Sequence, residues 1–363
     1  MELDINRLQQ LDNSPKEFAA LANLIYIKDK ELTIKRHKHG RGFYYTDNQK
    51  RKIKAKKQIE RFKKLRIPPR WQKVRITHLE NGHLQAVGRD TKQRKVYKYH
   101  PIWSKFKNQT KFFKMLAFGK KLPIIRKRLE KDLNRPGMPK EKVLAIVIKL
   151  LEETHIRVGN QYYAKKNKTY GLSTLRNKHI SRKEDEMSID FIGKKGRKHH
   201  IVVDDPELMR LINKCEEIPG WELFSYYDKN GDKETIDSGL INNYIQSSCG
   251  EFYSAKDFRT WGASCIFYEY LVDLPKTEDQ KTIEKNILKA YDETAKNLGN
   301  TRAVCKKYYV HPILPQQYRK GALNEIDNVS ENKYLSPTEC QILKLVESYE
   351  LNIPKKESSC AKN

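Results

Sequence analysis

The feature that most constrains the fold is the segment His100-Pro101-Ile102-Trp103, where the spacing of apolar residues changes. Before it, Val74 and Ile76, then Leu84 and Ala86, then the run Arg94 to Tyr99, alternate with polar residues at the period of half-buried strands. Asn81-Gly82 lies between the first two runs, a dipeptide that favours a tight hairpin. After Trp103 helical spacing dominates. Lys111 to Phe118 and Leu122 to Leu133 read as two basic amphipathic helices. Val143, Leu144, Ile146, Val147, Leu150 and Leu151 make an apolar helix face. Further helices are expected at 206–216, 238–247, 256–272 and 281–298. A lone hairpin is expected where Ser188 to Ile192 meets His200 to Val203 across Gly193-Lys194-Lys195-Gly196-Arg197-Lys198. The fold class is α+β: a small antiparallel β-rich amino-terminal domain and a larger, mainly α-helical domain. The expected division is an extension at 1–35, the β-rich domain at 36–103, the helical domain at 104–328 and a polar tail at 329–363.

Charge narrows the partner. Lys plus Arg number 73 against 45 Asp plus Glu, a formal excess of +28 in 363 residues. The excess runs along the whole chain, so most of the molecule is expected to face a polyanion, as in a clamp. Nucleic acid fits better than an anionic membrane surface, and a solvated basic protein with no fixed partner is the bland alternative. Cations and aromatics alternate along Arg94 to Tyr99, as a strand tracking a phosphate backbone would require.

Other classes are disfavoured by what the sequence lacks. The start, Met-Glu-Leu-Asp-Ile-Asn, carries no apolar run, so no secretory signal is expected, and no segment is long enough to span a bilayer. Six cysteines are scattered without a Cys-x-x-Cys pair and read as reduced thiols of a cytosolic protein. There is no phosphate-binding glycine loop, no His-Glu-x-x-His and no paired carboxylate cluster, so neither a metal nor a nucleotide cofactor is expected. What stands out is Asn300 to Pro312, with Tyr308-Tyr309 between Lys306-Lys307 and Val310-His311-Pro312. A tyrosine is a weak nucleophile at neutral pH and needs cations and donors around the group it attacks. Arg157, Lys194, Arg259 and Asn300 are the candidate donors.

These blocks resemble, in order, those of the type IB DNA topoisomerases, most of all the small poxvirus-like and bacterial branch. The catalytic blocks are Arg157-Val158-Gly159, Gly171 to Ile180, Phe191-Ile192-Gly193-Lys194, Asp257 to Gly262 and Asn300 to Tyr309. The amino-terminal ones run from Gly42-Phe43-Tyr44-Tyr45 through Ile67-Pro68-Pro69, Asn81 to Gln85 and Gly88-Arg89-Asp90 to Tyr99-His100-Pro101. The likeness covers roughly residues 40 to 320. It implies a C-shaped clamp closing on double-stranded DNA. It also implies relaxation of supercoils of either sign through a 3′-phosphotyrosyl intermediate, without ATP or metal, by a monomer. The setting implied is cytoplasmic and nucleoid-associated.

The resemblance makes Tyr309 the nucleophile, with Tyr308 as the competing residue; the apolar Val310 that follows favours Tyr309. It makes Arg157 and Arg259 the holders of the scissile phosphate and Lys194 the general acid on a mobile hairpin. Asn300 stands where poxvirus members carry histidine and supplies an amide donor in its place. Lys256, Tyr163, Arg89, Lys195 and Arg197 are assigned to DNA contacts. Two rivals remain: a tyrosine recombinase, which would exchange strands at a defined site as a tetramer and carry histidine at position 256, and an architectural DNA-binding protein, which would form no covalent adduct.

Overall fold

The computed structural model describes residues 5–183, 186–323 and 332–349. These divide into two compact units, one ending at Lys111 and one running from Phe112 to Tyr349.

The first unit opens with α1 (Ile5–Asn13) and α2 (Pro15–Leu21). Leu8, Leu11 and Phe18 are buried, and Phe18 packs edge-on against Trp103 at 5.1 Å and against Phe106 at 4.8 Å. The extension is thus part of the unit's packing. There follow β1 (Ile34–His39), β2 (Gly42–Thr46), α3 (Lys56–Lys64), β3 (Gln72–Ile76), β4 (Leu84–Arg89) and β5 (Lys95–Tyr99). The strands form one antiparallel sheet in the order β2-β1-β3-β4-β5. Ile34, Tyr45, Phe62, Val74, Ile76 and Ala86 build the core between this sheet and α3.

Asn81-Gly82 does not make the tight turn its sequence suggests. Neither residue takes the positive φ that such a turn needs, and β3 and β4 are joined by the longer loop 77–83. That loop is shaped instead by the Gln85 amide, which donates to the carbonyls of Glu80 at 2.9 Å and Gly82 at 2.8 Å. A tertiary side-chain bond has replaced local turn chemistry.

The two basic helices expected between 111 and 133 are one. α4 (Pro101–Leu133) starts at a proline, which fits a helix start, and carries Pro123 inside it. Burial of Phe118, Leu122 and Ile125 on both sides of Pro123 outweighs the lost backbone bond. α5 (Lys140–Thr154) is buried nearly all round, Ala145 and Ile148 included, and forms the centre of the second unit rather than a one-faced helix. Next come α6 (Gln161–Asn167), β6 (Ile180–Lys183), β7 (Glu186–Ile192) and β8 (Lys198–Val203), the last three a sheet in chain order. α7 (Pro206–Glu216), the small hairpin β9 (Ser225–Tyr227) and β10 (Lys233–Thr235), α8 (Ser238–Cys249), α9 (Ala255–Val272) and α10 (Gln280–Asn297) follow. The described chain ends with α11 (Arg302–Tyr308), α12 (Ile313–Arg319) and α13 (Pro337–Glu347).

The expected polar tail carries an amphipathic stretch from Glu339 to Leu351, and there α13 packs on the second unit. α13 begins with Ser336, whose hydroxyl accepts from Glu339 N, while Glu339 accepts from Ser336 N at 2.8 Å. The Glu339 carboxylate is buried. It takes a bidentate pair of bonds from Arg126 at 2.6 and 2.8 Å and one from the indole of Trp261 at 2.7 Å. Ile342 and Val346 complete the contact with the core. The Lys-Ser end of the sequence lies outside the described residues. Among the described residues no helix is long and apolar enough to cross a membrane.

Candidate active site

Each residue of the site is delivered by the end of an element. α5 stops at His155, which adopts a left-handed conformation, φ 52°, and turns the chain outward to Arg157. The Arg157 segment is held by a second strand of backbone: Leu172 N donates to Arg157 O at 2.9 Å and Ser173 N to Val158 O at 2.7 Å. The two segments approach so closely that a Cβ on Gly171 would stand 2.3 Å from Arg157 O. Glycine is therefore required there by distance, which explains the Gly171 to Ile180 block.

α9 delivers the exposed Lys256 in its first turn and Arg259 one turn later, 4% exposed. Asp257 accepts from Ser254 N at 2.9 Å and pairs with Lys114 at 3.0 Å, so it starts the helix and serves structure. Arg259 donates through Nη2 to Leu298 O at 3.0 Å, which fixes the guanidinium against the end of α10. Two residues on, Asn300 N donates to Ala295 O at 2.8 Å and Asn300 Oδ1 accepts from Arg157 Nη2. Arg157, Asn300 and Arg259 thus gather around one turn of chain.

α11 presents the tyrosines. Tyr309 sits at its last turn, with its N donating to Cys305 O at 3.0 Å, and the buried Val310 pins the chain beyond it. One residue of helical rotation separates the two rings. Tyr308 is 45% exposed with Lys307 over its face, whereas the Tyr309 ring lies 5.4 Å from the Arg259 guanidinium carbon. Burial pushes the Tyr309 phenol up. The charge and hydrogen bond of Arg259, with the charges of Arg157 and Lys256, more than offset this and hold it below the ordinary tyrosine value. Burial in turn pushes the Arg259 guanidinium down to about 10, with Arg157 adding to the effect.

Two donors in this cluster have no acceptor. Arg259 Nε and Asn300 Nδ2 are buried without a hydrogen-bond partner among the described residues. An orphaned buried donor is costly, and two of them beside a phenol with a lowered pKa are what a site for anionic oxygens requires.

Lys194 stands apart. It lies at the exposed tip between β7 and β8, next to Lys195, whose φ is 66°. Arg197, on the same tip, instead reaches inward, and its guanidinium donates to Asn300 O. Tyr163 is half-exposed on α6, edge-on to Tyr162. Arg89 ends β4 in the first unit and donates to Gln93 O at 2.7 Å. Sequence reasoning missed two histidines of this region. His155 lies under α9, where burial, with Arg259 adding, pushes its imidazole down to about 4. His199 stacks on Phe191 at 4.7 Å, its direct cross-strand partner, so the hairpin register was the signal that could have found it.

A phenol beside the buried Arg259, with Arg157 and Asn300 joined at the next turn of chain, is an arrangement suited to binding phosphate oxygens. Comparison with known proteins agrees. Residues 100–332 match the family described as eukaryotic DNA topoisomerase I, catalytic core, and residues 42–90 match the bacterial DNA topoisomerase IB amino-terminal domain. DNA topoisomerase 1B of Acanthamoeba polyphaga mimivirus is 32% identical over 88% of this chain and 96% of its own. DNA topoisomerase 1B of Vaccinia virus (strain Copenhagen) is 25% identical over 69% of this chain and 77% of its own. The DNA topoisomerase 1 of Mycosarcoma maydis matches over 50% of this chain but 20% of its own. The chain belongs to the type IB DNA topoisomerase family. It is an enzyme, an isomerase.

Proposed function

We propose that this chain relaxes DNA supercoils of both signs by transient cleavage of one strand. The Tyr309 phenolate attacks a phosphodiester, forming a 3′-phosphotyrosyl bond and releasing a 5′-hydroxyl. Arg157, Arg259 and Asn300 take up the negative charge that builds on the non-bridging oxygens, and Lys194 supplies the proton to the leaving 5′ oxygen. The phosphotyrosyl ester retains the energy of the broken bond, so religation by the 5′-hydroxyl needs neither ATP nor a metal ion. Lys256, Tyr163, Arg89, Lys195 and Arg197 contact the duplex on either side. The enzyme works as a monomer on double-stranded DNA in the cytoplasm, in a nucleoid setting. The domain division proposed is an extension to residue 35, a DNA-binding domain to 103, a catalytic domain to 328 and a tail.

The observation that carries this reading is the orphaned pair of buried donors, Arg259 Nε and Asn300 Nδ2, beside a tyrosine whose phenol Arg259 holds below its ordinary value. The test is relaxation of negatively supercoiled plasmid in EDTA without ATP, with wild type and Tyr309→Phe side by side. Wild type relaxes the plasmid and the variant does not. Relaxation by Tyr309→Phe would move the nucleophile to Tyr308, and inactivity of both proteins would end the metal-free tyrosine reading.

A further inference from the structure

The hairpin that carries Lys194 is fastened to the phosphate-binding turn by two side chains that no catalytic step uses. The first is Arg197, whose guanidinium crosses from the hairpin to Asn300 O. The second is His199. Its ring stacks flat on Phe191, 4.7 Å between centroids and 4° between planes, within the β7–β8 pairing. The same ring fills the space between two glycines from distant parts of the chain. A Cβ on Gly193, the residue before Lys194, would stand 2.6 Å from His199 Nε2. A Cβ on Gly299, the residue before Asn300, would stand 2.3 Å from His199 Cε1. The tip itself is closed by Gly193 N donating to Arg197 O at 2.7 Å.

One imidazole therefore touches the residue preceding the proposed proton donor and the residue preceding the proposed phosphate donor. One guanidinium ties the same two segments by a charge-assisted bond. Burial first, and then the charges of Arg157, Arg259 and Arg197, lower the pKa of this imidazole and favour its neutral form. A neutral plate can pack against both glycines, whereas an imidazolium would add a further cation to three arginines.

We infer that Arg197 and His199 are positioning residues that latch the Lys194 hairpin to the Gly299–Asn300 turn, so that proton delivery and phosphate binding are held in one register. The inference rests on the proposed role of Lys194. It explains how a residue on an exposed tip can meet a leaving oxygen with the sub-ångström placement that proton transfer requires.

The test separates the latch from the role it serves. Single-turnover cleavage is measured at enzyme concentrations that saturate binding for each variant, so that DNA affinity drops out of the rate, on duplex DNA with an ordinary scissile phosphate and on the same duplex with sulfur in place of the bridging 5′ oxygen. A thiolate leaves without a proton. Four variants are compared: Lys194→Ala, Arg197→Ala, His199→Ala and the exposed control Lys198→Ala. On the oxygen substrate general-acid loss costs Lys194→Ala about 10²-fold or more, and Arg197→Ala and His199→Ala lose about tenfold or more. On the sulfur substrate all three return to within a few-fold of wild type. Equal loss on both substrates by Arg197→Ala would overturn the latch, because the defect would then lie in phosphate binding or folding. Unchanged cleavage of the oxygen substrate by Arg197→Ala and His199→Ala would overturn it too. Failure of Lys194→Ala itself to recover on sulfur would instead overturn the proton-donor role. Arg197 is partly exposed, so its variant keeps the test valid if removing the packed His199 ring unfolds the hairpin.

Discussion

The arginines of the first unit and those of the second do opposite things with the same group. Arg36 donates to the carbonyls of Ile67, Pro68 and Trp71, and Arg61 to those of Thr77, His78 and Leu79 and to Gln85 Oε1. These bonds close loops of the first unit. In the second unit Arg259 is more deeply buried, yet its Nε, like Asn300 Nδ2, has no acceptor among the described residues. A guanidinium bonded to several loop carbonyls is a strut. A buried one with an unmatched donor is what the proposed phosphate-binding role needs, and the packing of α9 offsets its cost to folding. The same contrast distinguishes Tyr309, held against Arg259, from the exposed Tyr308.

The sharpest way to break this comparison is Arg259→Ala. Loss of a preorganised donor lowers the single-turnover cleavage rate about 10²- to 10³-fold, roughly 3 to 4 kcal/mol, in a protein that still folds. Arg259→Lys restores little, since a point charge cannot bond Leu298 O and a phosphate together. A variant that cleaves within a few-fold of wild type would return Arg259 to the class of struts.

Acid should expose the next largest effect, through His155 beneath Arg259. Its folded pKa, about 4, lies below the ordinary 6.5, so the folded state binds fewer protons than the unfolded one across that window. Stability is therefore complete above about pH 6.5 and falls as the pH drops towards 4, by up to about 3 kcal/mol. His155→Asn, which tolerates the left-handed backbone at this position, should flatten that slope in urea titrations at several pH values. An unchanged slope would show that the acid sensitivity lies elsewhere.

Arg61→Ala tests the other side. It leaves several loop carbonyls without their donor and should cost the first unit about 1–3 kcal/mol, read by denaturant unfolding, while bound DNA is cleaved at the wild-type rate. A lowered rate on bound DNA would blur the distinction between the two kinds of arginine. The smallest effect belongs to exposed Arg89. Arg89→Ala should weaken DNA binding a few-fold, whatever the sequence, and reduce the slope of log affinity against log salt by about 1. An unchanged slope would remove Arg89 from the DNA-binding surface.

Much of this was legible in the chain. The change of period near Pro101, the helices at 206–216 and 255–272, and the strands on either side of Lys194 follow from the spacing of apolar residues. Spacing is a local property, and elements of this length obey it. Arg157, Arg259, Asn300 and Tyr309 were marked in the sequence through the resemblance of the short blocks around them to the type IB topoisomerases. Other features depended on distant partners. Asn81-Gly82 gave up its turn to Gln85, the segments on either side of Pro123 joined because both bury the same face, and α13 docked because Glu339 meets Arg126 and Trp261.

The amino-acid sequence by itself determined the elements and the excess of cations and marked the candidate reactive groups, since these rest on neighbours along the chain. Which cations are spent on structure, which tyrosine faces Arg259, and which histidine lies between Gly193 and Gly299 were decided only by tertiary structure. Hydrogen-bond saturation and close approach are properties of residues brought together from as far apart as 193 and 299, and no local pattern encodes them.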